Sequence, residues 1–354
     1  MSQLSRQWSE SLGSKKAEIA GAVVEREIAL RPDLGARYGA LGRQRSLEDA
    51  QCHLSSLSAA IQAERAELFC DHIAWAKVTL LSRGVPPDVL AHHLVLMREE
   101  VCDALPGEVA MVANAMLERS LLELPQMPVE IPTFLDESAA LAEFAREYLD
   151  RLLSGDRQLA SQLVLAKAHA GTPIRQIYLD VFQPVQRELG RLWQMNRISV
   201  GQEHYCSAAT QMAMSQLYPL LFDGTRHAHT IVATCVSGDL HDIGVRMLSD
   251  LFELDGWNTY YVGASMPAGA IVQALVERQA QILAISVTIA THLPNVEALI
   301  TDVRANPACN TVKIIVGGYP FNLVPGLWQR VGADGYARDA DQAVAVARTL
   351  LSAH

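Results

Sequence analysis

The most specific chemistry in the chain lies in the run DLHDIG at residues 239–244. An imidazole nitrogen is a good neutral ligand for a metal such as cobalt, and its second ring nitrogen must then donate a hydrogen bond. A carboxylate two residues earlier can accept that bond, so Asp239 would orient His241. Gly244 would let the backbone approach a large flat ligand closely. A loop histidine paired with an aspartate for structural reasons is the alternative.

Two further groups of small or polar residues stand where later apolar runs end. Ser286 and Thr288 close the run ILAISVT, and Gly317-Gly318 closes VKIIVGG. Such runs are typical of buried strands, and ligands bind outside the carboxyl ends of parallel strands. The three groups are therefore expected to share one edge of a sheet.

The elements that must position these groups alternate along residues 223–354. The β-rich run HTIVATCVSG is followed by a helical pattern, and strand-like and helical stretches then alternate to the end of the sequence. This alternation predicts a doubly wound parallel sheet. Because long helical stretches precede it, the chain is expected to be multidomain, α plus α/β.

The order D-x-H-x-x-G, S-x-T and G-G across a parallel sheet closely resembles the cobalamin-binding domains of B12 proteins such as methionine synthase. The resemblance implies a flavodoxin-like domain in which His241 replaces the benzimidazole tail as the lower cobalt ligand. Asp239 would orient His241, and the tail would enter a slot in the sheet. Four residues would meet the tail or leave room for it: Ser286, Thr288, Gly317 and Gly318.

Residues 135–222 are predicted to form a four-helix-bundle cap over the cobalt. Trp193 is followed, after nine residues, by Glu203-His204, and Ser199 with Gln202 forms a capping box at the start of the second helix. The W-x9-E-H spacing resembles that of light-sensing adenosylcobalamin proteins, which include bacterial light-responsive transcriptional regulators and photocobilins. Ordinary bundle core at Trp193 and a solvated helix start are the alternative.

That resemblance implies adenosylcobalamin as the bound form, with Trp193, Glu203 and His204 around the adenosyl group. Light would break the cobalt–carbon bond, and the cap would shift or change its contacts within a homo-oligomer, or signal to a separate effector protein. In the regulators a histidine commonly follows the tryptophan and captures cobalt after photolysis. Gln194 stands there in this chain, so His204 or water are the remaining candidates.

Residues 1–124 are predicted to be helical, and the proline-bearing stretch at 124–134 is a candidate linker. An apolar stripe from Leu54 to Val78 carries His72 at the spacing of one helical face, and Arg83-Gly84 and Pro86-Pro87 predict the end of that helix and the start of the next. This region faintly resembles globin-like helical sensor domains, which suggests biliverdin as a second chromophore. His72, His92 and His93 are its candidate contacts, against the alternatives of core or solvated histidines and of partner binding or dimerisation.

Composition excludes several other classes of partner. The net charge of −10 and the lack of a basic recognition helix argue against nucleic acid. No apolar run reaches the length of a membrane span, and no leader pattern follows the first residue. The six cysteines are scattered without a CxxC pair, which favours reduced thiols and a cytoplasmic location.

The first prediction for function is therefore a light-sensing protein that is not an enzyme. A corrinoid methyl carrier that serves a separate methyltransferase is the alternative, since the same His241 ligand would suit it. That alternative predicts methylcobalamin as the bound form and an open upper face of cobalt. An adenosylcobalamin-dependent radical isomerase would need a substrate barrel, for which the sequence has no segment.

Overall fold

A computed structural model of the chain describes residues 2–221 and 228–352, apart from the side chains of residues 32–38. The described residues form two compact units. The first contains residues 2–129 together with Thr288–Ala298 and Tyr319–Gly332, and the second contains the other described residues from Glu130 onwards. The predicted boundary between residues 222 and 223 lies outside the described residues.

The N-terminal part of the first unit is helical, as the sequence predicts. Ser2 caps the first helix by accepting a hydrogen bond from the backbone N–H of Ser5 at 3.1 Å. Gly39 interrupts the second helix with a φ of +59°. The helices are α1 (Gln3–Leu30), α2 (Pro32–Ala63), α3 (Ala66–Ser82), α4 (Pro87–Ala104) and α5 (Gly107–Glu123).

The apolar stripe that carries His72 is shared by two helices, although its spacing predicts one. Glu64 ends α2 in the left-handed conformation, with φ at 53°, and α3 then begins at Ala66. The predicted helix end at Arg83-Gly84 is confirmed, because Arg83 caps α3. The predicted start at Pro86-Pro87 is confirmed as well, since Pro87 is the first residue of α4.

The second unit opens with short helices around an apolar core. That core includes Tyr148, Tyr178, Phe182 and Met214, each fully buried. The chain makes a π-helical turn over Tyr178–Phe182. Pro184 explains this turn, because a proline has no N–H to donate and its ring clashes with the carbonyl four residues earlier. The helices are α6 (Ala142–Leu153), α7 (Arg157–His169), α8 (Ile174–Ile177), α9 (Gln183–Gln194) and α10 (Val200–Leu217).

A parallel sheet follows, and it confirms the predicted doubly wound fold. Within the described residues its strand order is β2-β1-β3-β4-β5, and every neighbouring pair is parallel. The chain therefore changes direction across the sheet between β1 and β3, which is where such folds bind ligands. The strands are β1 (Thr230–Cys235), β2 (Asn258–Gly263), β3 (Ile282–Ser286), β4 (Lys313–Gly317) and β5 (Gly335–Ala337).

Helices connect the strands. Consecutive residues of β1, β3 and β4 are buried, which is typical of strands covered on both faces of a sheet. The connecting helices are α11 (Ile243–Leu254), α12 (Ala268–Arg278), α13 (Leu293–Ala305), α14 (Tyr319–Leu323) and α15 (Leu327–Arg330), and α16 (Ala340–Ser352) follows β5. Across residues 2–221 and 228–352, none of the helices is both long and apolar enough to cross a membrane.

Candidate cobalamin site

The candidate site is built on the loop between β1 and α11, at residues 236–242. The backbone N–H of Val236 donates to the carbonyl of Ser286 at 3.3 Å, which extends the pairing of β1 with β3. The Cys235 thiol donates to the carbonyl of His241 at 3.4 Å, and the Ser265 N–H donates to the carbonyl of Asp239 at 3.1 Å. The loop is therefore held by β3 and by the segment that follows β2.

Asp239 and His241 form the expected pair. Asp239 Oδ1 lies 2.8 Å from His241 Nδ1 and also accepts the backbone N–H of His241 at 3.1 Å. The Asp239 side chain is fully buried, whereas 58% of the His241 side chain is exposed. The hydrogen bond to Asp239 raises the pKa of His241, against burial, which lowers it. Because Nδ1 is engaged by the carboxylate, Nε2 is the nitrogen that can meet a metal.

A third side chain of the motif, Asp242, joins the loop to two other elements. Its Oδ1 accepts a hydrogen bond from Gln211 Nε2 of α10, and its Oδ2 accepts one from Tyr261 OH of β2, both at 2.9 Å. Burial raises the pKa of Tyr261, so its hydroxyl remains a donor. Sequence reasoning missed Gln211 and Tyr261. The motif shows that Asp242 can accept hydrogen bonds, but both donors are distant from it in sequence.

The three glycines of the motifs stand in different surroundings. A Cβ on Gly244, near the start of α11, would meet no atom within 4 Å. A Cβ on Gly317 would lie 2.8 Å from the carbonyl oxygen of Ala337, and one on Gly318 would lie 1.9 Å from that of Val287. The sheet itself therefore requires Gly317 and Gly318, and Gly318 also has a φ of +107°. Neither packing nor backbone conformation requires Gly244.

Ser286 and Thr288 fall at the end of β3 but in different units. Ser286 pairs in register with Cys235 of β1 and Gly317 of β4, so it stands at the carboxyl edge between them. Thr288 belongs to the first unit.

The cap residues Glu203 and His204 lie in the first turn of α10. The predicted capping box is confirmed there, with Gln202 N–H donating to Ser199 Oγ at 3.2 Å. Glu203 Oε2 lies 2.8 Å from His204 Nδ1, and Glu203 Oε1 accepts from Ser207 Oγ at 2.9 Å. The charge of Glu203 contributes to raising the pKa of His241, so the carboxylate is within electrostatic range of the loop.

The other cap candidates are more enclosed. Trp193 is partly buried near the end of α9, and the neighbouring Gln194 is buried, with 6% of it exposed. His204, by contrast, is exposed over 74% of its side chain.

The three candidate histidines, His72, His92 and His93, have different neighbours. His72 Nε2 lies 2.8 Å from Nδ1 of His53, which is 5% exposed. His93 Nδ1 lies 3.3 Å from Glu27 Oε2, and its ring is 5.6 Å from that of His53. His92 Nε2 is buried. Sequence reasoning missed His53, which lies between His72 and His93. Burial lowers the pKa of His72 to about 4, as expected of a core histidine.

Two family models match the chain, and each describes a B12 binding domain. One matches residues 145–218 and the other matches residues 229–345, so the cap helices and the sheet are both included. The chain therefore contains B12-binding domains, and the prediction of cobalamin binding is confirmed at that level.

The names of similar proteins indicate a narrower class than the two family models do. The chain is similar to dimethylamine corrinoid protein 1 of Methanosarcina acetivorans, with 27% identity over 168 residues, 47% of this chain and 78% of the relative. Dimethylamine corrinoid protein 3 of the same organism is 26% identical over 207 residues, 58% of this chain and 95% of the relative. Dimethylamine corrinoid protein 2 of Methanosarcina mazei is 32% identical over 128 residues, 36% of this chain and 58% of the relative.

A solved structure shares the fold. The monomethylamine corrinoid protein of Methanosarcina barkeri has a TM-score of 0.54 and 21% identity, and the match covers 60% of this chain and 100% of that protein. At this identity the likeness concerns the fold alone.

The prediction of a light-sensing protein is wrong. The relatives are named corrinoid proteins, which agrees with the alternative of a methyl carrier and not with a photoreceptor. The W-x9-E-H spacing has a local explanation, because Glu203 is bonded to His204 and Ser207 at an ordinary capped helix start. The biliverdin prediction likewise finds no support among the relatives.

Proposed function

We propose that this chain is a corrinoid protein that carries a methyl group on cobalt for a separate methyltransferase, without catalysing the transfer alone. The observation that carries the proposal is the hydrogen bond between buried Asp239 and half-exposed His241, at the carboxyl end of β1. The names of its relatives support the methyl-carrier form of cobalamin function. A cytoplasmic location is part of the proposal and agrees with the free cysteines.

The residues present fit a cobalamin. His241 Nε2 would be the lower cobalt ligand, since Asp239 holds the proton of Nδ1 and so fixes the tautomer. The open space beside Gly244 suits a broad ligand against the start of α11. Ser286 and Gly318 would flank the nucleotide tail. When bound, the cobalt would supply a site that takes up a methyl group and gives it up again.

The rest of the loop would keep His241 in position. Gln211 and Tyr261 both donate to Asp242, the residue that follows His241, and thereby restrain the loop from the α10 side and from β2. Glu203 adds negative charge near His241. A neutral ligand nitrogen beside buried carboxylates is more electron-rich than a free imidazole, which favours its bond to a metal.

The first experiment tests the cobalt ligand by electron paramagnetic resonance of the Co(II) form. Protein labelled with [15N]histidine should show a changed nitrogen splitting relative to unlabelled protein, because a nitrogen of His241 is bound to the metal. The splitting from histidine should be absent in His241→Ala and present in the control His169→Ala, an exposed residue at the end of α7. An unchanged splitting on labelling would overturn the proposed site.

The second experiment separates the methyl form from the adenosyl form. Retention of methylcobalamin and of adenosylcobalamin should be compared in the wild type and in a Glu203→Ala, His204→Ala double variant. In a methyl carrier the double variant should change the retention of both cofactors by the same factor, because a bare methyl group needs no hydrogen-bonding partner and the lost charge of Glu203 acts on His241 with either cofactor. A selective loss of adenosylcobalamin from the double variant would instead favour the adenosyl form that the W-x9-E-H resemblance implies.

A further inference from the structure

Glu297, in the first unit, is held by two helices from the N-terminal region. Its Oε1 lies 2.6 Å from Arg6 Nη2 of α1, and its Oε2 accepts a hydrogen bond from Gln62 Nε2 of α2 at 3.0 Å. Glu297 is 5% exposed. A buried carboxylate needs such partners, so this contact fixes the start of α13 against α1 and α2.

The segment after β4 is held in a similar way. Tyr319 OH donates to Asp71 Oδ1 of α3 at 2.6 Å, and Arg330 Nη2 lies 2.5 Å from Glu64 Oε2 at the end of α2. Ser2 Oγ donates to the other oxygen of Glu64 at 2.7 Å. Residues of α1, α2 and α3, together with Glu64, therefore contact the two segments that follow β3 and β4.

The two held segments are ligand loops by their place in the fold. Thr288–Ala298 begins two residues after the end of β3, and Tyr319–Gly332 begins directly after Gly318 at the end of β4. β3 borders the position where the sheet changes direction, and loops at the carboxyl ends of such strands contact the ligand. Both segments lie within the matched B12-binding domain, whereas residues 2–129 lie outside both family matches.

We propose that the N-terminal helices are a built-in support for cobalamin retention, in which Asp71 and Glu297 act as positioning residues for the loops after β3 and β4. The inference rests on the proposed function, since it concerns the same cofactor. Along the chain, the two loops directly follow the strand ends whose residues would meet the nucleotide tail, so the support is expected to act on the tail and not on the corrin ring. Cobinamide, which has the ring but no nucleotide tail, is therefore the discriminating probe.

The experiment measures dissociation of cobalamin and of cobinamide from full-length Asp71→Asn, Tyr319→Phe and Glu297→Gln variants. Each change is nearly isosteric and removes a charge or one hydrogen bond. Asp88→Asn is the matched control, because Asp88 pairs with Arg31 at 3.0 Å between two residues of the N-terminal region. Circular dichroism and thermal melting establish that each variant is folded, and Tyr319→Phe, the mildest change, keeps the test valid if the others unfold.

We expect each variant to release cobalamin about threefold to tenfold faster, which is within the usual range for mutations that act on a site without touching its ligand. Cobinamide release should stay as in the wild type, and Asp88→Asn should change neither rate. Equal effects on both corrinoids, or no effect on either, would overturn the inference and leave the proposed function intact. Wild-type protein that fails to bind cobalamin at all would instead overturn the proposed function.

Discussion

At the scale of single residues, the site depends on a contrast in burial between two neighbours. Asp239 is fully enclosed and still accepts two hydrogen bonds from His241, whereas His241 is more than half open. A buried carboxylate whose acceptors are satisfied holds its donor firmly, because releasing the donor would leave an unpaired charge away from water. The direction of the imidazole is therefore set before any cofactor arrives.

Replacing Asp239 by asparagine should weaken cobalamin binding about tenfold to a hundredfold, the usual cost of losing a carboxylate behind a metal-bound histidine. The amide keeps the shape of the side chain but not its charge. Equilibrium dialysis with hydroxocobalamin would measure the change, and Asp302→Asn, an exposed position on α13, is the control. Equal affinity in Asp239→Asn and wild type would contradict this role.

The glycines allow a second test in which stability and binding move in opposite directions. Gly244→Ala should leave the cofactor-free protein as stable or raise its free energy of unfolding by up to about 1 kcal/mol, because alanine is favoured over glycine in helices. The same change should weaken cobalamin binding, since the Cβ fills space at the candidate site. Urea unfolding and dialysis provide the two measurements.

Gly318→Ala is the contrasting variant. Its Cβ would lie 1.9 Å from the carbonyl oxygen of Val287, at a φ of +107°, so the sheet must distort. We expect a loss of about 3 kcal/mol or more in the free energy of unfolding. A fully stable Gly318→Ala protein would show that the loop after β4 tolerates a different backbone path.

At the scale of elements, the cap and the sheet of the second unit are joined by one buried and one exposed polar contact. Tyr178 OH, in the π-helical turn, lies 2.6 Å from Asp250 Oδ2 of α11. Ser215 Oγ of α10 accepts from Arg246 Nη2, also of α11, at 2.6 Å. Helix α11, which follows the His241 loop, therefore contacts the cap helices at two positions along its length.

The Asp250 contact makes stability depend on pH. Burial raises the pKa of Asp250 from about 3.8 to about 6, so the folded state binds a proton that the unfolded state releases. The stabilisation that this bound proton provides is fully present below about pH 4 and is lost as the pH rises through about 6. Asp250→Asn should therefore stabilise the protein at pH 7.5, by about 1–3 kcal/mol, and by much less at pH 4.5.

Chemical denaturation of both proteins at several pH values measures this difference. Tyr178→Phe serves as the companion variant, since it removes the donor and should lower stability at pH 7.5. A difference between Asp250→Asn and wild type that does not vary with pH would contradict the raised pKa.

At the scale of the whole molecule, local pattern predicted the parts but not their grouping. The strand-and-helix alternation, the capping box at Ser199 and the Asp239–His241 pair each depend on residues close in sequence, and each has a local physical cause. The contacts of Arg6 with Glu297 and of Asp71 with Tyr319 join residues about 250 to 290 positions apart. No periodicity or spacing encodes such pairs, so a sequence reading divides the chain into consecutive stretches.

The function prediction failed for a related reason. W-x9-E-H is a spacing between two helices, and it constrains where three side chains begin but not what they contact. Glu203 finds partners in His204 and Ser207 on its own helix. The D-x-H-x-x-G motif is more informative, because its two critical residues are near enough for the backbone itself to place them in contact.

The segment between the N-terminal helices and the cap offers a test of this grouping. Lys77 Nζ donates to the carbonyls of Leu124 and Met127 at 2.8 and 2.7 Å, and Glu188 accepts the N–H of Phe134 at 3.0 Å. Both ends of the segment are thus fixed, and exposed Glu130 lies between them. Exposed loop residues of this kind are preferred sites of proteolysis.

A glutamate-specific protease should therefore cut first after Glu130, and Glu130→Gln should remove that cleavage. The two pieces should separate on a denaturing gel but elute together from a native sizing column. Their association would come from the first unit, which combines residues 2–129 with Thr288–Ala298 and Tyr319–Gly332, so its contacts cross the cut. Separation under native conditions would show instead that the N-terminal helices form an independent domain, and that the loops after β3 and β4 keep their positions without them.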